Sequence, residues 1–158
     1  MPIEKNELRR VMGHFATGVT VITSLRASGE MHGLTANAFS SVSLVPPLLL
    51  ICVDKKAESY PCFEESKVFT VNILSAEQEA LSRKFAVSGG NKFEGVSYRV
   101  GANGVPILDG SVAYLECRLS GSMDAGDHTV YLGEIEQAET HEAKPLLFFR
   151  GGYRELGD

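Results

Sequence analysis

Tryptophan is missing from this chain, and cysteine occurs only at Cys52, Cys62 and Cys117. No C-x-x-C pair exists among them, so a zinc knuckle or a thioredoxin-like redox pair has no ligands to build on. The odd number and the apolar neighbours of the three suggest reduced thiols buried as small hydrophobes, as expected of a cytoplasmic protein. His14, His32, His128 and His141 show no metal-ligand spacing, so no metal site is expected. No apolar run reaches the about 18 residues that a membrane span needs, and the mixed-charge start Met1-Pro2-Ile3-Glu4-Lys5 is unlike a secretory signal. Positive charge is scarce too. A net charge of −5 leaves no basic face for nucleic acid, and no nucleic-acid partner is expected. Neither G-x-G-x-x-G nor G-x-x-x-x-G-K-[ST] occurs, which excludes the two commonest backbone cradles for nucleotide phosphates.

What remains is an ordinary globular composition. At 158 residues, 44% hydrophobic and 22% charged, the chain can bury one core, so we expect a single domain over residues 1–158. Leu8, Val11, Met12 and Phe15 recur at the spacing of one helix face, with Gly18 as the expected stop. Val19 to Thr23 is a β-branched strand, and Leu48 to Val53 is apolar throughout, as a strand buried on both faces would be. Ser59 is placed to cap a short helix that carries Pro61 in its first turn. Ser75-Ala76-Glu77-Gln78 has the form of a capping box and opens another helix through Phe85. Ala113 to Ser120 alternates as a half-buried strand, His128 to Ile135 reads as its partner, and Leu146 to Arg154 as a last hairpin. Many short strands, three helices and no βαβ alternation predict a mainly β protein, a small antiparallel Greek-key-like barrel with peripheral helices.

Three stretches can carry chemistry. In Gly33-Leu34-Thr35-Ala36-Asn37-Ala38-Phe39-Ser40-Ser41-Val42, the small Gly33, Ala36 and Ala38 permit close approach to the backbone, and Thr35, Asn37, Ser40 and Ser41 offer hydrogen bonds. A flat polar heterocycle needs such a surface, but a Ser/Asn-rich turn needs the same residues. Lys55-Lys56-Ala57-Glu58-Ser59 puts cations before a helix start, an anion-binding arrangement. Gly126-Asp127-His128 sets an imidazole just after a turn, where it can donate a hydrogen bond or titrate near neutrality.

Five segments then occur in a fixed order: Phe15 to Thr23, Gly33 to Pro47, Val71 to Ser75, Gly126 to Thr129, and Pro145 to Tyr153. Together they resemble the short-chain flavin reductases, the reductase components of two-component flavin-dependent monooxygenases, over almost the whole chain. The resemblance implies a split-barrel homodimer that binds FMN or FAD near the subunit interface and takes hydride from NADH or NADPH. Reduced flavin then goes to a partner monooxygenase. It assigns Thr35, Ala36, Asn37, Ala38, Phe39, Ser40, Ser41 and Val42 to the isoalloxazine and ribityl chain, and Lys56, Ala57 and Ser59 to the phosphate. It assigns His128 to the nicotinamide nucleotide as a positioning contact in the catalytic site, with Arg150, Gly151, Gly152 and Tyr153 nearby. The segment from Ser88 to Gly104 matches least and would border the adenine side of a larger flavin. Other functions implied by the same barrel are a flavin carrier without reductase activity and a flavin-dependent oxidase of the pyridoxamine-phosphate type.

Overall fold

The fold is that of a computed structural model describing residues 2–157, so Met1 and Asp158, the ends of the expected domain, lie outside the described residues. The first helix, α1 (Lys5–Met12), forms on the predicted spacing but ends early, where Gly13 N–H closes on Arg9 C=O at 2.9 Å. Gly18 is therefore not the stop; it lies in β1 (Thr17–Gly18), opposite Leu147. Among the described residues, none buries the apolar face of α1. Leu8, Val11, Met12 and Phe15 keep 46%, 48%, 64% and 76% of their surface exposed.

A hairpin follows, β2 (Thr20–Leu25) and β3 (Met31–Ala36), then a second, β4 (Phe39–Leu44) and β5 (Pro47–Asp54), whose connection contains a cis Val45–Pro46 bond. The Gly33–Pro47 stretch is thus neither a long turn nor a free loop. Its hydroxyl-rich half is a strand that pairs Ser40 with Leu50 and Ser41 with Leu49, bulging at Val42. In β5 the apolar run divides by the period of two: Leu49, Ile51 and Val53 are buried, whereas Leu48, Leu50 and Cys52 are only half-buried. The expected burial on both faces holds for one face, because the described residues cover the other only in part.

Next come α2 (Tyr60–Ser66), β6 (Val68–Ile73), a short 3-10 turn running into α3 (Glu79–Phe85), and the short pair β7 (Tyr98–Val100) and β8 (Pro106–Leu108). The capping box at Ser75 forms as read, with Gln78 Oε1 accepting from Ser75 N–H at 2.8 Å. Two long strands, β9 (Ala113–Ala125) and β10 (His128–Thr140), and a last hairpin, β11 (Leu146–Phe149) and β12 (Gly152–Glu155), complete the chain.

The main sheet has the order β3-β2-β6-β9-β10-β5-β4, antiparallel throughout. Its two edge strands, β3 and β4, are joined in sequence by Asn37 and Ala38 alone. Edges that close in sequence can be edges of one sheet only if the sheet curls until they meet. The result is a barrel with a seam at Asn37–Ala38. Inside it pack Ile22, Leu49, Ile51, Val53, Val71 and Cys117, with Phe63 of α2 stacked on Tyr131 at 4.9 Å as the plug. A second apolar cluster, including Val21, Leu74, Phe85 and Phe93, lies under α3. Asn72, fully buried, binds Val21 C=O and Leu108 N–H and ties β8 to the sheet. Among the described residues no helix is long and apolar enough to cross a membrane.

Candidate functional site

Three concavities run together along the seam. A polar one of about 290 Å³ is lined by Leu34, Thr35, Asp54, Lys56, Ala57, Ser59 and Lys92 among others. A middle one of about 240 Å³ takes Thr35, Ala36, Asn37, Ser82, Ala86, Phe148 and Tyr153. The third, an open apolar cleft of about 860 Å³, includes Met12, Phe15, Thr17, Asn37, Ala38, Phe39, Ser40, Leu50, Cys52 and Gly151. The polar and middle concavities share Thr35, and the middle one and the cleft share Asn37 and Phe148, so the three form one trough.

Local bonding fixes the walls. Thr35 Oγ1 donates to Ser82 C=O at 2.6 Å, locking β3 to α3, and the Ser82 hydroxyl lies 2.6 Å from Tyr153 Oη, bringing in β12. The Arg83 guanidinium covers the Tyr153 ring at 4.8 Å, and Phe148 meets that ring edge-on at 5.4 Å. Gly33 has a different role from the close ligand approach read from sequence. A Cβ there would meet the Phe85 ring at 2.8 Å, so this glycine lets α3 seat against β3. Arg150 and Gly151, at φ 51° and 75°, make the left-handed tip of the last hairpin, and Arg150 N–H reaches Gly13 C=O at 2.7 Å.

At the polar end, Asp54 Oδ1 accepts from Lys56 N–H at 2.8 Å and Lys55 Nζ pairs with Asp124 at 2.9 Å, leaving Lys56 as the lysine of the two that lines the trough. Ser59 is buried but caps nothing with its side chain. Its backbone is already helical at φ −77°, ψ −10°, and α2 is only seven residues long, so the anion site expected from a capped helix start is not built that way.

His128 opens β10 opposite Asp54 and lies outside all three concavities. Its Nδ1 is 2.7 Å from Asp127 Oδ1, and this hydrogen bond holds the exposed Asp127 carboxyl below the usual carboxylate range. Of the residues assigned from sequence, Thr35 to Ser40, Lys56, Ala57, Ser59, Gly151 and Tyr153 line the trough. Ser41 and Val42 are exposed on β4 beyond it, and Arg150 and Gly152 flank Gly151 without lining it. Sequence reasoning missed Ser82, Ala86, Phe148, Cys52 and Lys92, which reach the trough through the docking of α3, the segment after it, β5 and β11. Thr17 Oγ1, buried at the cleft, finds no hydrogen-bond partner among the described residues. No group of His, Cys, Asp or Glu among the described residues could hold a metal ion.

The trough thus has a small-residue middle, an end of mixed charge where Lys56 and Lys92 stand beside Asp54 and Glu58, and an apolar end. The model of the flavin reductase like domain covers residues 12–157. The chain belongs to the flavin reductase family. This flavin reductase-like chain is 38% identical over 152 residues to a flavin reductase of Pseudomonas putida, covering 96% of this chain and 89% of that protein. It is 39% identical over 152 residues to the reductase subunit of a flavin-dependent monooxygenase from Rhodococcus jostii, covering 96% and 77%. Among solved structures, the NADH:FAD oxidoreductase of Streptomyces globisporus, in complex with NAD and FAD fragments, superposes with a TM-score of 0.93 at 40% identity, over 98% of this chain and 93% of that one. The barrel closed at Asn37–Ala38 is accordingly the split barrel of this family.

Proposed function

We propose that this chain is an NAD(P)H:flavin oxidoreductase, passing hydride from NADH or NADPH to FMN or FAD and supplying the reduced flavin to a monooxygenase component. The observation that carries the reading is the trough at the barrel seam. The residues present fit a flavin. Ala36 and Ala38 leave the strand edge open to a flat ring, Lys56 supplies charge at one end, and Phe39, Leu50 and Phe148 supply apolar surface at the other. The unpaired Thr17 hydroxyl is a further group a polar ligand could satisfy.

Flavin, when bound, supplies the hydride-accepting N5. The chain's contribution is position. Thr35 to Ser40 hold the ring system, with Ser41 and Val42 at its outer edge, and Lys56, Ala57 and Ser59 take the phosphate. His128, with Arg150 to Tyr153, contacts the nicotinamide nucleotide. The Asp127 carboxylate engages His128 Nδ1, which leaves Nε2 as the ring nitrogen for a ligand. No side chain has to move a proton in a hydride step, so holding the two rings at reacting distance is the main source of rate, worth up to ~7–11 kcal/mol in favourable cases.

We also propose that the chain works as a homodimer in the cytoplasm. The uncovered apolar face of α1, the half-buried face of β5, and Leu44 and Val45, each 92% exposed, form surface that a second copy would bury. Three free cysteines fit a reducing compartment.

The test is NADH and NADPH oxidation by purified protein with excess FMN, FAD or riboflavin in turn. Oxidation that requires flavin is expected. Flavin binding without turnover on either nucleotide would refute the reductase reading in favour of the carrier.

A further inference from the structure

We propose that Ser82 is a positioning residue for hydride transfer: it fastens the flavin wall and the nucleotide wall of the trough to one turn of α3, and so sets the gap across which the two rings meet. The proposal rests on the reductase reading above and adds a residue that acts through Thr35 and Tyr153 and that no motif assigns.

Ser82 is one of the last four residues of α3, whose carbonyls lack partners further along the helix. Ala86 N–H closes on Arg83 C=O, and the Ser82 carbonyl is taken by Thr35 Oγ1 of β3 at 2.6 Å. The Ser82 hydroxyl engages a different strand: it lies 2.6 Å from Tyr153 Oη of β12. Thr35 belongs to the segment that holds the ring system, and Tyr153 to the hairpin on the nucleotide side. Both line the middle concavity, with Ser82 bonded to each. Ser82 is fully buried, so water does not compete for either tie.

Backbone pairing does not do the same work. β12 is the outer strand of the three-stranded sheet β1-β11-β12 and pairs with β11, so no ladder among the described residues joins it to β3. The other contacts of Tyr153 are less directional. Arg83 covers the ring at 4.8 Å and Phe148 meets it edge-on at 5.4 Å, and both tolerate sliding of the ring in its own plane. A hydroxyl pair at 2.6 Å does not, because a hydrogen bond weakens steeply with distance and angle. Ser82 therefore fixes how far the tip of Tyr153 stands from Thr35.

The experiment cuts the two ties separately. Ser82→Ala keeps the carbonyl and removes the hydroxyl, in a residue type that suits a helix. Tyr153→Phe removes the same bond from the other side, and Thr35→Val removes the donor to the carbonyl. Fluorescence titration of FMN and FAD is run beside steady-state NADH oxidation with the better-bound flavin at saturation. Ser82→Ala should lower kcat about 2- to 13-fold, the range of one neutral hydrogen bond, with flavin affinity and KM for NADH each within about twofold. Tyr153→Phe should do the same, and the double variant should lose no more than either single one. Thr35→Val should instead raise the flavin dissociation constant by the same range. An unchanged kcat in Ser82→Ala, a matching loss of flavin affinity in it, or fully additive losses in the double variant would overturn the proposal. If Ser82→Ala does not fold by circular dichroism, Tyr153→Phe decides, and an unchanged kcat there overturns it. A wild type that oxidises NADH with neither flavin would instead remove the reductase reading itself.

Discussion

Replacing Gly33 by alanine tests the link between fold and site at one atom. The new Cβ would lie 2.8 and 2.9 Å from two carbons of the Phe85 ring, too close for any real contact. Phe85 is 1% exposed and pressed against Phe93, so the ring has little room to withdraw. Overpacking of this kind costs about 1–3 kcal/mol. Restricting the unfolded chain returns about 0.4–1 kcal/mol. A net loss of roughly 0–2.6 kcal/mol remains, a fall in Tm of up to ~10 °C for a chain of this size. The displaced α3 should also stretch the Thr35–Ser82 bond, now 2.6 Å, and loosen flavin by about 2- to 13-fold, the worth of one hydrogen bond. Gly133→Ala is the control. Its Cβ would strike Phe69 at 2.5 Å and Cys117 at 3.0 Å in the barrel interior, so it should lower Tm while leaving flavin affinity unchanged. Thermal melts and fluorescence titrations of both variants read the outcome. If Gly33→Ala melts and binds like the wild type, Phe85 yields freely and the wall of the site is not set by this contact.

Three further outcomes are expected. His128→Ala should lower kcat/KM for NADH about 2- to 13-fold, one neutral hydrogen bond, with flavin affinity unchanged; the reverse pattern would contradict its placement on the nucleotide side. Light scattering at low micromolar concentration should give twice the chain mass, and a monomer would remove the assigned role of the exposed α1 face. Burial pushes the thiols of Cys62 and Cys117 up to about 11 and about 12, from an ordinary 9.0. Because the folded values are the raised ones, the stability these neutral thiols carry is whole below about pH 9 and is lost as pH climbs through 11 and 12. Melts from pH 8 upward should therefore fall, and Cys117→Val should flatten the fall; identical alkaline profiles would refute the assignment.

Features that close over a few residues could be read from sequence. The Ser75–Gln78 box needs only its own turn, and the Gly126-Asp127 turn before His128 forms as read, with Gly126 at φ 66°. Features that depend on remote partners could not. Gly18 looked like a helix stop because nothing in sequence shows that Gly13 can close the helix, nor that Leu147 pairs with Gly18. Ser59 has the right chemistry for a cap, but its backbone angles deny it the geometry. The hydroxyl-rich Gly33–Pro47 stretch hid its strands because Ser40 and Ser41 are both exposed and break the apolar alternation, and only their pairing with Leu50 and Leu49 makes them β. The ordered motifs located the Thr35–Ser40 and Lys56–Ser59 walls of the trough. Ser82 and Lys92 complete it from α3 and the segment after it, and their position depends on Gly33 admitting Phe85, a packing fact without a local signature.

The exposed helix α1 has a consequence for how the molecule behaves on dilution. Eight residues are too few to hold a helix in water without tertiary support, and none of the side chains of α1 is buried within the chain. In the proposed homodimer its order comes from the second copy packed against Leu8, Val11 and Met12, so its backbone amides would act as a gauge of that contact. Amide hydrogen exchange in this helix should slow as protein concentration rises, while exchange in β6 and β9, deep in the barrel, should not respond. Met12 and Phe15 also line the apolar cleft, so loss of that contact at low concentration would open the cleft along with the helix.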